Sequence, residues 1–164
     1  MAEIVVADAG PLIAFGRLDK VSLLGAVFDG VIVPRAVYDE TQARPDLPDA
    51  LAVHGAVQTG TLKVVELGPE RADLPGGIEL GEGEAAAIAL AARLGYGLLI
   101  DDLQGRAAAA QLKLRVIGTV GVLVLARERG LIPALSPLLQ ALKASGYYLS
   151  EALIQAALHR TGES

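Results

Sequence analysis

Cysteine is absent from these 164 residues. Its absence excludes disulfides, thiolate nucleophiles and cysteine-ligated zinc. Asparagine is absent too, and arginine outnumbers lysine by 10 to 4. Few thermolabile amides fit a thermophile, and a GC-rich genome gives the same bias. Aromatic residues are only 4% of the chain. A core must therefore come from Leu, Val, Ile and Ala, and platforms for base stacking are scarce. Positive charge is also in deficit, with a net charge of −5. A generic, charge-driven nucleic-acid binder should be basic, so that class is disfavoured. An enzyme whose acidic site is neutralised by a divalent metal is not excluded. The longest nearly apolar run, residues 116–126, is too short to span a bilayer, so no membrane partner is expected. The start, MAEIVVADAG, has no basic n-region and carries Asp8 within what would be the apolar segment. It does not read as a signal peptide, and a cytoplasmic location is expected.

What is present is apolar: hydrophobic residues make up 52%. The length fits a single domain, residues 1–164, with a sizeable core. So much apolar surface in a short chain predicts a homo-oligomer, a homodimer or larger. Short strands are expected at 4–7, 31–33, 62–67, 98–100 and 115–117. Helices are expected at 11–18, 21–28, from Pro34, from about Pro48, at 82–94, 103–112, 118–129, 136–145 and 150–160. Gly95 and Gly130 read as helix stops. Residues 68–77, rich in Gly and Pro, read as a loop. Strands alternate with helices and no linker interrupts them. The expected fold is α/β: a central, mainly parallel sheet in a core of about 3–130, then C-terminal helices at about 134–162.

The stretch VVADAGPLIAF sets one aspartate, Asp8, at the end of an apolar strand. Burying an unpaired charge costs several kcal/mol, roughly. In an open parallel sheet, ligands bind beyond the carboxyl ends of the strands. Asp101 and Asp102, in LLIDD, follow a second strand to the same edge. Glu40, in AVYDET, and Glu84, in GEGEAAAIALA, lie on helices flanking it. Each acid has a plainer reading. Asp8 suits the cap of the next helix, and so does Asp101 or Asp102. Glu82 and Glu84 suit the positive end of a helix. Asp39 and Glu40 suit solvated surface. Together they form a cluster whose members repel one another without a counter-ion. Oxygen-only ligands suit Mg²⁺ or Mn²⁺. Two such ions about 4 Å apart are the usual device for hydrolysing phosphodiesters, one activating water and one stabilising the leaving oxygen.

The run of VVADAGPLIAF, VIVPRAVYDE, GEGEAAAIALA, LLIDDLQGR and VIGTVGVLVLARERGLI resembles a PIN domain over about residues 4–160. More narrowly it resembles the PIN-like branch of predicted nucleic-acid-binding proteins, related to VapC-type toxin ribonucleases. Order and spacing carry the resemblance, not one motif. It implies a three-layer sandwich around a parallel sheet of four or five strands. It also implies a metal-dependent endoribonuclease using Mg²⁺ or Mn²⁺ on RNA, and, for a toxin, an antitoxin protein as partner. Asp8 matches the first-strand aspartate, Glu40 the glutamate after the second strand, Glu84 the third acid and Asp102 the acid after the fourth core strand. On this carry-over Asp8, Glu84 and Asp102 are the main metal ligands. Asp101 is a neighbouring candidate ligand, Glu82 is a second candidate beside Glu84, and Glu40 is an outer ligand or water-positioning base. Two departures stand out. Gly10 takes a place where the toxins often carry Ser or Thr, and Glu84 takes one where they usually carry Asp.

Substrate contacts are read from the residues around that edge. Arg106, just after LLIDD, is the first choice for a phosphate clamp, with Arg35 and Arg17 as further candidates; a surface ion pair is the plainer reading of each. Thr119, in IGT, suits either a hydroxyl near a metal-bound water or a helix cap. His54 and His159 have no partner at motif spacing and read as surface residues. Tyr147 and Tyr148 read as packing or dimer-interface residues. The alternative to a nuclease is a PIN-like module with a weak or inactive site that binds RNA or a protein partner. A nucleotide-binding or phosphorelay domain is a third class, but no GxGxxG or GxxxxGK[ST] occurs and VIGT lacks the lysine such a pocket needs.

Overall fold

The computed structural model describes residues 3–66, 74 and 76–163. Among them the chain runs β1 (Ile4–Ala7), α1 (Ala9–Arg17), α2 (Ser22–Val27), β2 (Gly30–Pro34), α3 (Arg35–Thr41), α4 (Pro48–Gln58), β3 (Leu62–Val65), α5 (Glu82–Leu94), β4 (Gly97–Leu99), α6 (Leu103–Gln111), β5 (Val116–Ile117), α7 (Thr119–Glu128), α8 (Ser136–Ala144) and α9 (Glu151–Thr161). Each predicted strand and helix has its counterpart, with ends shifted by a residue or two. Of the predicted loop at 68–77, residues 68–73 and 75 lie outside the described residues.

The five strands form one sheet in the order β3-β2-β1-β4-β5. Every pairing is parallel, so the expectation of a mainly parallel sheet becomes wholly parallel. Val5, Val6 and Ala7 are consecutive and all fully buried, as are Leu98, Leu99 and Ile100. Consecutive strand residues point to opposite faces, so helices must cover both sides of the sheet. Burying one such Leu stabilises the fold by about 2 kcal/mol. The architecture is a PIN-like α/β three-layer sandwich.

α5 packs over β1, β2 and β4. Its inner positions are mostly alanine, with Ala85, Ala86, Ala87 and Ala91 buried, so its axis lies close to the sheet. Gly95 ends it with φ +71°, a left-handed turn that costs a glycine nothing. This packing fixes the first turn of α5 beside the carboxyl ends of β1 and β4. The chain leaves β1 towards β2 and leaves β4 towards β5, in opposite directions across the sheet. The crevice between β1 and β4 is thus the topological switch point, where such sheets bind ligands.

Candidate active site

Asp8 follows β1 directly. Its N–H donates to the Leu99 carbonyl at 2.9 Å, prolonging the β1–β4 pairing. Its extended backbone makes it the N-cap residue of α1, yet its side chain makes no capping hydrogen bond. It is 5% exposed, and its Oδ1 has no hydrogen-bond partner. Burial raises this carboxyl from 3.8 to about 6; the Ala9 N–H pulls it down, while Glu40, Asp102 and Asp101 push it up. A buried carboxylate oxygen without a donor is costly, and it is the feature of this edge most in need of a cation.

Glu84 occupies the third position of α5. Its Oε1 accepts the Gly81 N–H at 3.0 Å, half of a capping box, since Gly81 has no side chain to reciprocate. Its Oε2 is buried without a donor. Burial raises Glu84 to about 7, helped by a hydrogen bond to Asp102 and by the charges of Asp102 and Asp8. Asp102 is lowered by the same bond, because it is the acceptor. Asp102 also caps α6, with Oδ2 accepting the Gly105 N–H at 2.8 Å. A hydrogen bond between the two carboxyl groups needs a proton on one of them, the arrangement expected when like charges meet with no cation between them.

Glu40, on α3, reaches the same rim over α5. A Cβ on Gly83 would stand 2.6 Å from Glu40 Oε1, so glycine there lets the carboxylate sit in this position, and a larger residue would make it shift. Glu40 is raised above its ordinary range by burial and by the neighbouring Glu82. The structure thus gathers Asp8, Glu40, Glu84 and Asp102 around one crevice, with Glu82 beside Glu40.

Asp101 lines the same cleft but has its own partners. Its Oδ1 accepts the Thr119 N–H at 2.8 Å and its Oδ2 accepts the Thr119 hydroxyl at 2.6 Å. The Tyr147 hydroxyl also donates to Oδ2. Both Asp101 oxygens have donors, whereas of Asp102 only Oδ2 accepts a hydrogen bond from a backbone N–H. A Cβ on Gly118 would lie 2.8 Å from Asp101 Oδ1, so glycine permits this approach as well.

Three of the candidate substrate contacts have other partners in the structure. Thr119 is fully buried and its hydroxyl is spent on Asp101, so it cannot meet a substrate. Nor is it the cap of α7; that is Gly118. Arg35 pairs with Glu66 at 2.8 Å and lies over the Tyr38 ring, which satisfies it away from the acids. Arg17 donates to the Ser145 carbonyl at 3.3 Å. Arg106 does reach the rim, anchored by NH1 to the Ile100 carbonyl at 3.0 Å. His54 is exposed and bonds Tyr38 at 2.6 Å, and His159 is exposed.

A cleft of about 870 Å³ opens beside the acids, with Asp8, Asp102 and Arg106 on its wall and Leu103, Tyr148 and Leu153 among its apolar lining. Leu103 is 82% and Tyr148 84% exposed, so this face is apolar and open. Sequence reasoning missed Gly83, Gly118 and Tyr147. The glycines in GEGE and IGT, each next to a helix start, were the available signal for the first two.

The residues of the rim fit a hard divalent cation in their chemistry: oxygen donors only, two of them buried without a donor. As the side chains stand, no three His, Asp or Glu groups among the described residues are arranged to hold a metal ion.

No curated protein matches the chain. A family model described as a PIN domain matches residues 4–163. PIN domains are generally nucleases, and an acid-lined crevice at the switch point of a parallel sheet is the place where such chemistry would occur. Since the match runs from the first residue of β1 to beyond the end of α9, this chain belongs to the PIN-domain family.

Proposed function

We propose that this protein is a Mg²⁺- or Mn²⁺-dependent endoribonuclease. The observation that carries the proposal is Asp8 Oδ1, a buried carboxylate oxygen with no donor, set among three further acids at the switch point. Asp8, Glu84 and Asp102 would hold the cation, and Glu40 would orient or deprotonate the attacking water. When bound, the cation supplies positive charge and Lewis acidity at a phosphodiester. Arg106, which lines the cleft beside the acids, binds a substrate phosphate. The acids cannot all be ionised together without a counter-ion, so the site is inactive as a set of bare carboxylates. RNA as substrate, a cytoplasmic setting and a toxin role with an antitoxin partner are finer parts of the same reading. The exposed Leu103, Tyr148 and Leu153 support a homo-oligomer.

A second reading, a PIN-like module that binds without cutting, is favoured by one observation: no three acids among the described residues are yet arranged to hold a metal. One experiment separates them. A mixed RNA panel is incubated with Mn²⁺ or Mg²⁺ and the purified protein, beside Asp8→Asn prepared identically. Cutting that needs the cation and disappears in Asp8→Asn supports the nuclease. Equal cutting by both proteins exposes a contaminant and defeats it as evidence. Intact RNA throughout, with no Mn²⁺ bound, selects the binding module.

A further inference from the structure

One hydroxyl from the far end of the chain reaches the acidic edge. Tyr147 lies between α8 and α9, and its hydroxyl donates to Asp101 Oδ2. With the two bonds from Thr119, each oxygen of Asp101 has a donor. Asp101 is the residue immediately before Asp102. With Asp101 held towards Thr119 and Tyr147, it is the next residue, Asp102, that stands beside Glu84 while capping α6 through the Gly105 N–H. The same hydroxyl stands 3.4 Å from the place a Cβ on Gly10 would take. It therefore fills the space over the first turn of α1, two residues from Asp8.

We infer that Tyr147 is a positioning residue of the acidic site: its hydroxyl withholds Asp101 from the cation-binding set and thereby fixes Asp102 against Glu84. Burial keeps the phenol protonated well beyond the usual range, so it stays a donor. Removing the hydroxyl would leave Asp101 Oδ2 with the Thr119 hydroxyl as its one donor, and so less firmly held away from Asp8. The cluster would then gain a competing carboxylate and lose the fixed geometry of Asp102. The effect on rate rests on the nuclease reading; the effect on cation binding does not.

The geometry also provides a rescue. In Tyr147→Phe only the hydroxyl is lost, and its former place lies 3.4 Å from where a Cβ on Gly10 would stand, within reach of a serine hydroxyl at position 10. The test compares wild type, Tyr147→Phe and Tyr147→Phe/Gly10→Ser by Mn²⁺ titration calorimetry, RNA cleavage and thermal unfolding. Groups that orient metal ligands typically change affinity or activity by about 10- to 100-fold. Tyr147→Phe is expected to weaken Mn²⁺ binding and lower kcat by about tenfold, with KM for RNA little changed. The added serine is expected to restore both. A folded Tyr147→Phe with wild-type Mn²⁺ affinity overturns the inference. So does a loss that tracks a lower Tm and is not restored by the serine, since that is packing alone. Wild type that binds Mn²⁺ but cuts no RNA sinks the nuclease reading, and the Mn²⁺ affinities then decide the inference by themselves. Wild type that binds no Mn²⁺ overturns both.

Discussion

Glu84 Oε2 has no hydrogen-bond donor of its own and faces the carboxylate of Asp102, so a bond between them exists only while Glu84 carries a proton. A cation entering this crevice must displace that proton. Glu84 sits near pH 7, so it is mostly protonated at pH 6 and mostly ionised at pH 8. Mn²⁺ affinity is therefore expected to rise through this window, with proton release on binding that shrinks as pH rises. Calorimetry at pH 6 and pH 8 in buffers of different ionisation heat checks this. An affinity flat across the window would contradict it.

The raised carboxyl of Asp8 links pH to the stability of the metal-free protein. Its folded value is about 6 against an ordinary 3.8, so the folded state binds the proton more tightly. That contribution is fully present below about pH 4 and is lost as pH rises through about 6. The shift corresponds to ~3 kcal/mol, read as an order of magnitude. Asp8→Asn removes the buried charge and is expected to raise the metal-free Tm at pH 8 by several degrees. It should also abolish any stabilisation by Mn²⁺. A lower Tm for Asp8→Asn at pH 8 would overturn this account.

Gly83→Ala tests the approach of Glu40 to α5. Alanine favours a helix over glycine by about 1 kcal/mol, so the change should not unfold the protein. Its Cβ would stand 2.6 Å from Glu40 Oε1 and push that carboxylate off the rim. Cleavage is expected to fall about 100-fold or more if Glu40 handles the proton of water. Wild-type cleavage by Gly83→Ala would remove Glu40 from the reaction.

The two arginines near the edge are predicted to differ. Arg106 borders the cleft, so Arg106→Ala is expected to weaken RNA binding about tenfold or more, in KM rather than kcat. Arg35 is exposed and paired with Glu66, a bond contributing less than about 1 kcal/mol. Arg35→Ala should leave both Tm and RNA affinity close to wild type. Anisotropy with a labelled oligonucleotide measures both; equal losses would return Arg35 to the site.

Much of this molecule was written locally. β-branched runs, Ala-rich α5, glycine stops and prolines at helix starts each act on the backbone within a few residues, so the order of strands and helices was legible in the sequence. The placement of Asp8 after β1 and of Glu82 and Glu84 in the first turn of α5 followed from the same local rules. Partner choice was not legible, because it depends on residues that only folding brings together. Asp101 meets Thr119 across 18 positions and Tyr147 across 46, while its neighbour Asp102 stands beside Glu84. Arg35 is satisfied by Glu66 across 31 positions. Glu40 sits this close to α5 because Gly83, on another helix, has no side chain. Sequence periodicity reports which residues are buried; which donor meets which acceptor is set by the docking of distant elements, and here that docking selected the acids left without partners.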